Sequence, residues 1–99
     1  MKLIDQNKEK LYELCRKHKV GSMFAFGSVL SDKFNADSDI DFVVDFDKVE
    51  LLDYADNYFD LKFSLEALFN RSVDLLEAKA IRNRYLREEI DQNKVLVYG

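Results

Sequence analysis

Residues 39–46, Asp-Ile-Asp-Phe-Val-Val-Asp-Phe, place Ile40, Phe42, Val44 and Phe46 at every second position. That period is the mark of an extended strand with one buried face, and it leaves Asp39, Asp41, Val43 and Asp45 together on the other. Same-face neighbours on a strand stand roughly 6.5–7 Å apart at the backbone, so the Asp39 and Asp41 side chains reach toward a common point. Aspartate is disfavoured in strands and adjacent like charges repel. A pair held this way calls for a cation.

The pair alone is weak evidence, because twelve aspartates in 99 residues generate about one or two Asp-x-Asp pairs by chance. Three occur: Asp37/Asp39, Asp39/Asp41 and Asp45/Asp47. Asp37 precedes the strand and reads as turn chemistry with Asn35 and Ser38. Asp45 and Asp47 lie where the strand runs out toward solvent and read as ordinary surface acids. Asp39/Asp41 remains, and Asp74 joins it by the same alternation. In Ser72-Val73-Asp74-Leu75-Leu76 a single charge interrupts an apolar run, with Val73 and Leu75 on the opposite face. Asp74 meets the other two only if the two strands are neighbours, and register is not visible in a sequence.

Upstream, with ten residues between Ser28 and Asp39, the apolar run Ser22-Met23-Phe24-Ala25-Phe26 ends at Gly27-Ser28. Glycine allows a ligand close to the backbone, serine adds a hydroxyl, and a helix starting there would aim free N–H groups at phosphate oxygens. Of the three glycines, Gly21 is expected to end the first helix and Gly99 closes the chain, which leaves Gly27 without a punctuation role.

Three amphipathic patterns predict helices. Residues 2–18 carry Ile4, Leu11, Leu14 and Cys15 near one face, with Arg16, Lys17 and His18 in the last turn, where cations suit the helix dipole. His18, the only histidine, is better explained as such a helix-end cation than as a catalytic base. Residues 50–69 carry a stripe of Leu51, Ala55, Tyr58, Leu61, Leu65, Leu68 and Phe69, widened by Leu52, Phe59 and Phe63. The ordinary reading is a helix packed across a sheet, and the sharper one is a partner-docking face. Residues 79–90 set Arg82, Arg84 and Arg87 among Glu88 and Glu89, as on a salt-bridged surface. Val95-Leu96-Val97-Tyr98 reads as a closing strand. The order helix, strand, strand, helix, strand, helix, strand predicts a single small domain over residues 1–99 of α/β (α+β) class, with a mixed β-sheet flanked by helices.

Composition limits what such a domain does. A hydrophobic share of 47% beside 34% charged residues is that of a water-soluble globule. No apolar run approaches a membrane span, and Met1-Lys2-Leu3-Ile4-Asp5 is not a secretion signal. A lone Cys15 forms no internal disulfide, reads as a core residue, and fits a cytoplasmic setting. The net charge of −4 argues against gripping a long nucleic acid by its backbone. It does not argue against a nucleoside triphosphate that arrives with its own divalent cation.

Gly27-Ser28, ten residues, Asp39-Ile40-Asp41 and the later Val73-Asp74-Leu75 together resemble the nucleotidyltransferases of the DNA polymerase β superfamily. The short length is similar to that of their minimal nucleotidyltransferase (MNT) group. Ile81-Arg82-Asn83, Tyr85-Leu86-Arg87-Glu88-Glu89-Ile90 and the closing Val95–Tyr98 extend the resemblance along nearly the whole chain. Where many members carry arginine and a second glycine after Gly-Ser, this chain has Val29, Leu30 and Ser31, and Arg84 stands where many have proline.

The resemblance implies a nucleotidyltransferase-like fold and transfer of AMP from ATP to a hydroxyl, with pyrophosphate leaving. It implies two Mg²⁺ ions bound by Asp39, Asp41 and Asp74, with Asp74 also helping to deprotonate the acceptor, and Gly27 and Ser28 holding the β- and γ-phosphates. Proteins of this group commonly act as antitoxins to HEPN-domain RNases, which they bind and adenylylate on tyrosine, so a HEPN partner is the expected one. Two alternatives stand beside this: a weakly active or inactive MNT protein that neutralises its partner by binding alone, and a small-molecule nucleotidyltransferase completed by a dimer or an added domain.

Overall fold

Why the leading helix is not one helix is set by Asn7. The structure, a computed structural model, describes residues 1–99. In place of a continuous helix over 2–18 it has α1 (Lys2–Gln6) and α2 (Lys8–Lys17), with Asn7 between them at φ −114°, ψ 18°. The Asn7 amide donates to the Leu3 carbonyl at 2.8 Å, a side-chain bond that competes with the helical ladder. The predicted inward residues survive the break, and Ile4, Leu11 and Cys15 are buried. Nor does Gly21 end the helix. Lys19 takes the left-handed conformation at φ 59°, and Gly21 lies inside β1 (Val20–Phe26).

The remaining elements are β2 (Ile40–Phe46), α3 (Tyr54–Phe69), β3 (Val73–Glu77), α4 (Arg84–Asn93) and β4 (Val95–Tyr98). Short 3₁₀ turns occupy Gly27–Leu30, Leu51–Asp53 and Ala78–Ala80. The four strands form one mixed sheet in the order β3-β2-β1-β4, antiparallel at β1/β2 and β1/β4 and parallel at β2/β3. A parallel pair needs a long crossover, and α3 provides it. Asn70, left-handed at φ 52°, stops α3 and turns the chain into β3.

One sheet face carries the main core, where Ile40, Phe42 and Val44 of β2 meet Met23 and Ala25 of β1, Leu11 and Cys15 of α2, and Leu61 and Leu65 of α3. Burying a side chain such as Phe42 or Leu61 contributes ~1.5–3 kcal/mol, so these contacts fix which way β2 faces. The carboxylate face is thereby turned outward. Helix α4 crosses that second face, burying Ile90 among Phe24, Val43 and Lys94.

Two predicted helices begin later than expected. Leu51 and Leu52 are 88% and 95% exposed in a 3₁₀ turn ahead of α3, so the buried stripe reduces to Leu61, Leu65 and Phe69. The helix expected over 79–90 is α4 at 84–93, because Asn83 is extended and its side chain accepts from the Leu86 N–H at 3.1 Å as an N-cap. No helix is long and apolar enough to cross a membrane.

Candidate functional site

Parallel pairing puts Asp74 directly beside Asp41. The β2/β3 register runs Ile40 to Val73, Asp41 to Asp74 and Phe42 to Leu75, so the aspartates are lateral neighbours on the open face. On the other side Asp41 pairs with Phe26, the residue before Gly27. Asp39 sits just ahead of β2, two residues upstream on the same face. The sheet thus lines up Asp74, Asp41 and the Gly27 turn across three adjacent strands, about 4.8 Å apart.

Gly27 is required twice over. Its φ of +77° lies in the left-handed region, and a Cβ there would run into the Asp41 carboxylate. Another residue would strain the turn and displace the end of the Asp41 side chain. After Gly27 the chain makes one 3₁₀ turn, closed by Ser31 N–H to Ser28 C=O at 2.9 Å.

The electrostatics of the cluster are those of crowded anions. Asp41 is half-buried while Asp39 and Asp74 are exposed. Burial first, and then the charges of Asp74 and Asp39, push the Asp41 carboxyl above its ordinary 3.8. The ion pairs of the molecule, Lys79–Asp45, Arg84–Glu88 and Lys94–Asp91, lie elsewhere. No three carboxylates, histidines or cysteines close into a ready-made metal cage. Oxygen donors with no cation beside them are nevertheless the kind that hard divalent ions prefer. The donor set fits Mg²⁺.

The other sequence candidates fall outside this cluster. Asp37 belongs to the turn, its N–H bonded to the Asn35 side-chain oxygen at 2.8 Å. Asp45 lies at the far end of β2 and faces Lys79 at 3.4 Å, while Asp47 is exposed. Changing both to Asn should leave ATP affinity within about threefold, since exposed ion pairs contribute little. Calorimetric titration checks this, and a loss matching that of an Asp39/Asp41 variant would move the site to the wrong end of the strand. His18 is 5% exposed, bonds the Leu14 carbonyl at 2.7 Å, and sits at the end of β1 opposite Gly27. It is a helix-end residue remote from the carboxylates. Burial drives the Cys15 thiol up to about 12, which keeps it protonated and unreactive.

Arg71 escaped the sequence reading. Its guanidinium donates to the carbonyls of Asn35 at 3.0 Å and Ser38 at 2.9 Å, and lies over the Phe34 ring at 4.5 Å. It therefore ties the loop that delivers Asp39 to the start of β3. The only hint in the chain is its position next to Ser72-Val73-Asp74. Arg71→Ala should lower stability by ~1–3 kcal/mol, as two charge-assisted bonds and a cation–π contact go. Urea denaturation measures it, and an unchanged midpoint would contradict the role.

With this geometry in hand, likeness to known proteins is specific. The polymerase beta, nucleotidyltransferase family model matches residues 9–99. The chain belongs to that family. It is 33% identical, over 98% of its own length and 100% of the relative's, to "Putative protein adenylyltransferase MJ1379" of Methanocaldococcus jannaschii. A second protein of that organism, "Putative protein adenylyltransferase MJ0128", is 35% identical over the same shares. Among solved structures, one described as a "putative minimal nucleotidyltransferase" superposes with a TM-score of 0.76 at 27% identity, covering 93% of this chain and 90% of that one. A toxin–antitoxin structure with AMP-PNP shares the fold, with a TM-score of 0.73 at 22% identity over 94% of this chain and 73% of that one. The chain is a nucleotidyltransferase by family and fold, as the resemblance carried by Gly27-Ser28 and Asp39-Ile40-Asp41 implied.

Proposed function

We propose that this nucleotidyltransferase moves AMP from ATP to a hydroxyl on a partner protein, the leading candidate being a tyrosine of a HEPN-domain RNase that it restrains as an antitoxin in the cytoplasm. The observation that carries the reading is the row Asp74, Asp41, Gly27 across β3, β2 and β1. In-line displacement at the α-phosphorus needs an acceptor on one side and a leaving group on the other, and the row supplies both ends.

In this reading Gly27 and Ser28 hold the β- and γ-phosphates, with the exposed Gly27 backbone and the Ser28 hydroxyl in contact with their oxygens. Asp39, Asp41 and Asp74 would hold Mg²⁺, which when bound offsets the charge building on the attacking and leaving oxygens. Asp74, exposed at the β3 edge, takes the acceptor proton. The acceptor oxygen forms its bond to the α-phosphorus as the bond to the bridging oxygen breaks, and pyrophosphate leaves toward Gly27. A protein acceptor suits a carboxylate cluster whose Asp39 and Asp74 are exposed. The relatives' names and the toxin–antitoxin neighbours support this choice.

Two features favour binding alone. Val29, Leu30 and Ser31 follow Gly-Ser where an arginine is common, and Phe59 and Phe63 stack at 6.0 Å while both remain exposed on α3. Assaying the partner's RNase activity with this protein, with and without Mg²⁺ and ATP, separates the two. Inhibition that persists after this protein is removed, and that needed ATP, supports transfer. Equal inhibition without nucleotide supports occlusion.

A further inference from the structure

The five tyrosines of the chain differ sharply in what holds them. Tyr12 belongs to α2 and Tyr54 and Tyr58 to α3, the two helices packed on the core face, across the sheet from the carboxylates. Tyr58 donates its hydroxyl to the Leu75 carbonyl at 2.6 Å. Tyr54 bonds the Glu77 carboxylate, and burial first and then that bond push its phenol up to about 12. Tyr12 and Tyr98 meet edge to face at 5.5 Å, both half-buried. Tyr85 alone lies on α4, the helix that crosses the carboxylate face, and it is 82% exposed. Its hydroxyl makes no hydrogen bond within the chain. Leu86, the next residue, and Glu89, one turn on from Tyr85, line a cleft of about 630 Å³ between α4 and the Gly27–Leu30 turn. Tyr85 therefore borders the region that opens onto Gly27.

We propose that Tyr85 is a self-modification site: without its partner, one copy of this protein transfers AMP from ATP to the Tyr85 hydroxyl of a second copy. The inference rests on the AMP-transfer reading given above. A side chain 82% exposed is turned to solvent and not into its own carboxylate row, so the reaction runs between copies. The phenol oxygen of one copy forms its bond to the α-phosphorus of ATP held by the other as the bond to the bridging oxygen breaks. The phenol proton passes to Asp74 of the copy holding ATP, and pyrophosphate leaves. Charge favours the encounter. Residues 82–87 carry Arg82, Arg84 and Arg87 and no acid. Arg84 is shared with Glu88 at 3.4 Å, while Arg82 and Arg87 enter no ion pair, so the segment around Tyr85 brings positive charge to the carboxylates and the triphosphate. The tyrosines of the core face offer no free hydroxyl of this kind.

Incubating the full chain alone with Mg²⁺ and α-labelled ATP tests this. The chain should gain label and one AMP mass, and peptide mapping should place it on Tyr85. Tyr85→Phe, which removes only an exposed hydroxyl, should lose the self-label while still labelling the partner protein. Mixing Tyr85→Phe with the double variant Asp39→Asn, Asp41→Asn separates the two routes, since the first lacks the acceptor and the second lacks the site. Label should then appear on the double variant, which takes up none by itself. If the wild type labels itself but this mixture stays unlabelled, transfer runs within one copy and the proposal is overturned. Self-label undiminished in Tyr85→Phe, or mapped to another residue, overturns it as well. A wild type that labels its partner and never itself rejects the Tyr85 site while AMP transfer stands. If neither protein is labelled, the transfer reading fails and the self-modification falls with it.

Discussion

Changing Asp39 and Asp41 together to Asn is expected to weaken Mg²⁺-dependent ATP binding by at least about a hundredfold, and to raise the melting temperature of the metal-free protein. The first effect follows because removing the two proposed direct ligands should exceed the ten- to hundredfold cost typical of losing supporting contacts. The second follows from Asp41. Its folded pKa is raised above 3.8, mainly by burial and then by Asp74 and Asp39, so the folded state binds more protons than the unfolded state just above that value. Stability then falls as pH rises from 3.8 through the raised value, and the deficit persists to neutral pH. Asn at position 41 removes it. Thermal melts across a pH series should show this acid-side slope in the wild type and not in the variant, and Mg²⁺ with ATP should stabilise the wild type alone. A variant that melts lower, or that keeps its nucleotide response, contradicts the crowded-carboxylate account.

Asp74→Asn should act on the chemistry more than on binding. In the proposed mechanism Asp74 stands at the acceptor end of the row, where charge builds as the hydroxyl attacks, so its loss should lower AMP transfer by ~10²–10³-fold or more. The complex with the partner should still form. Intact mass spectrometry follows the gain of one AMP mass on the partner, and size-exclusion chromatography follows the complex. If the parent transfers AMP and Asp74→Asn loses transfer and protection together while the complex persists, transfer is the working activity. If Asp74→Asn protects cells as well as the parent and the parent transfers no AMP, the protein acts by occlusion.

The face on which the carboxylates stand was legible because alternation encodes burial. Ile40, Phe42 and Val44 are buried on one face, so Asp41 had to face the other. Register was not legible, since the Asp41–Asp74 pairing is set by the α3 crossover and the Asn70 turn and not by either strand's own pattern. Helix boundaries were misplaced wherever one side chain outbid the pattern. Asn7 splits the first helix, Asn83 delays α4, and Lys19 takes a conformation that glycine was expected to take. Arg71 was missed for a related reason. Its partners are the backbone carbonyls of a loop more than thirty residues away, and no local spacing signals such a contact. The cleft beside Gly27 is likewise invisible in sequence, because it exists only where the 3₁₀ turn and α4 meet over β1 and β4.

The central claim is nucleotidyl transfer at the Asp39, Asp41, Asp74 and Gly27-Ser28 cluster, and the most direct measurement is the fate of each phosphate. The protein and its partner are incubated with Mg²⁺ and ATP labelled at either the α- or the γ-phosphate. The account predicts label on the partner from α-labelled ATP only, with pyrophosphate released and the signal absent in Asp74→Asn. Label from the γ-phosphate, or no label from the α-phosphate in a complex that demonstrably forms, would contradict it.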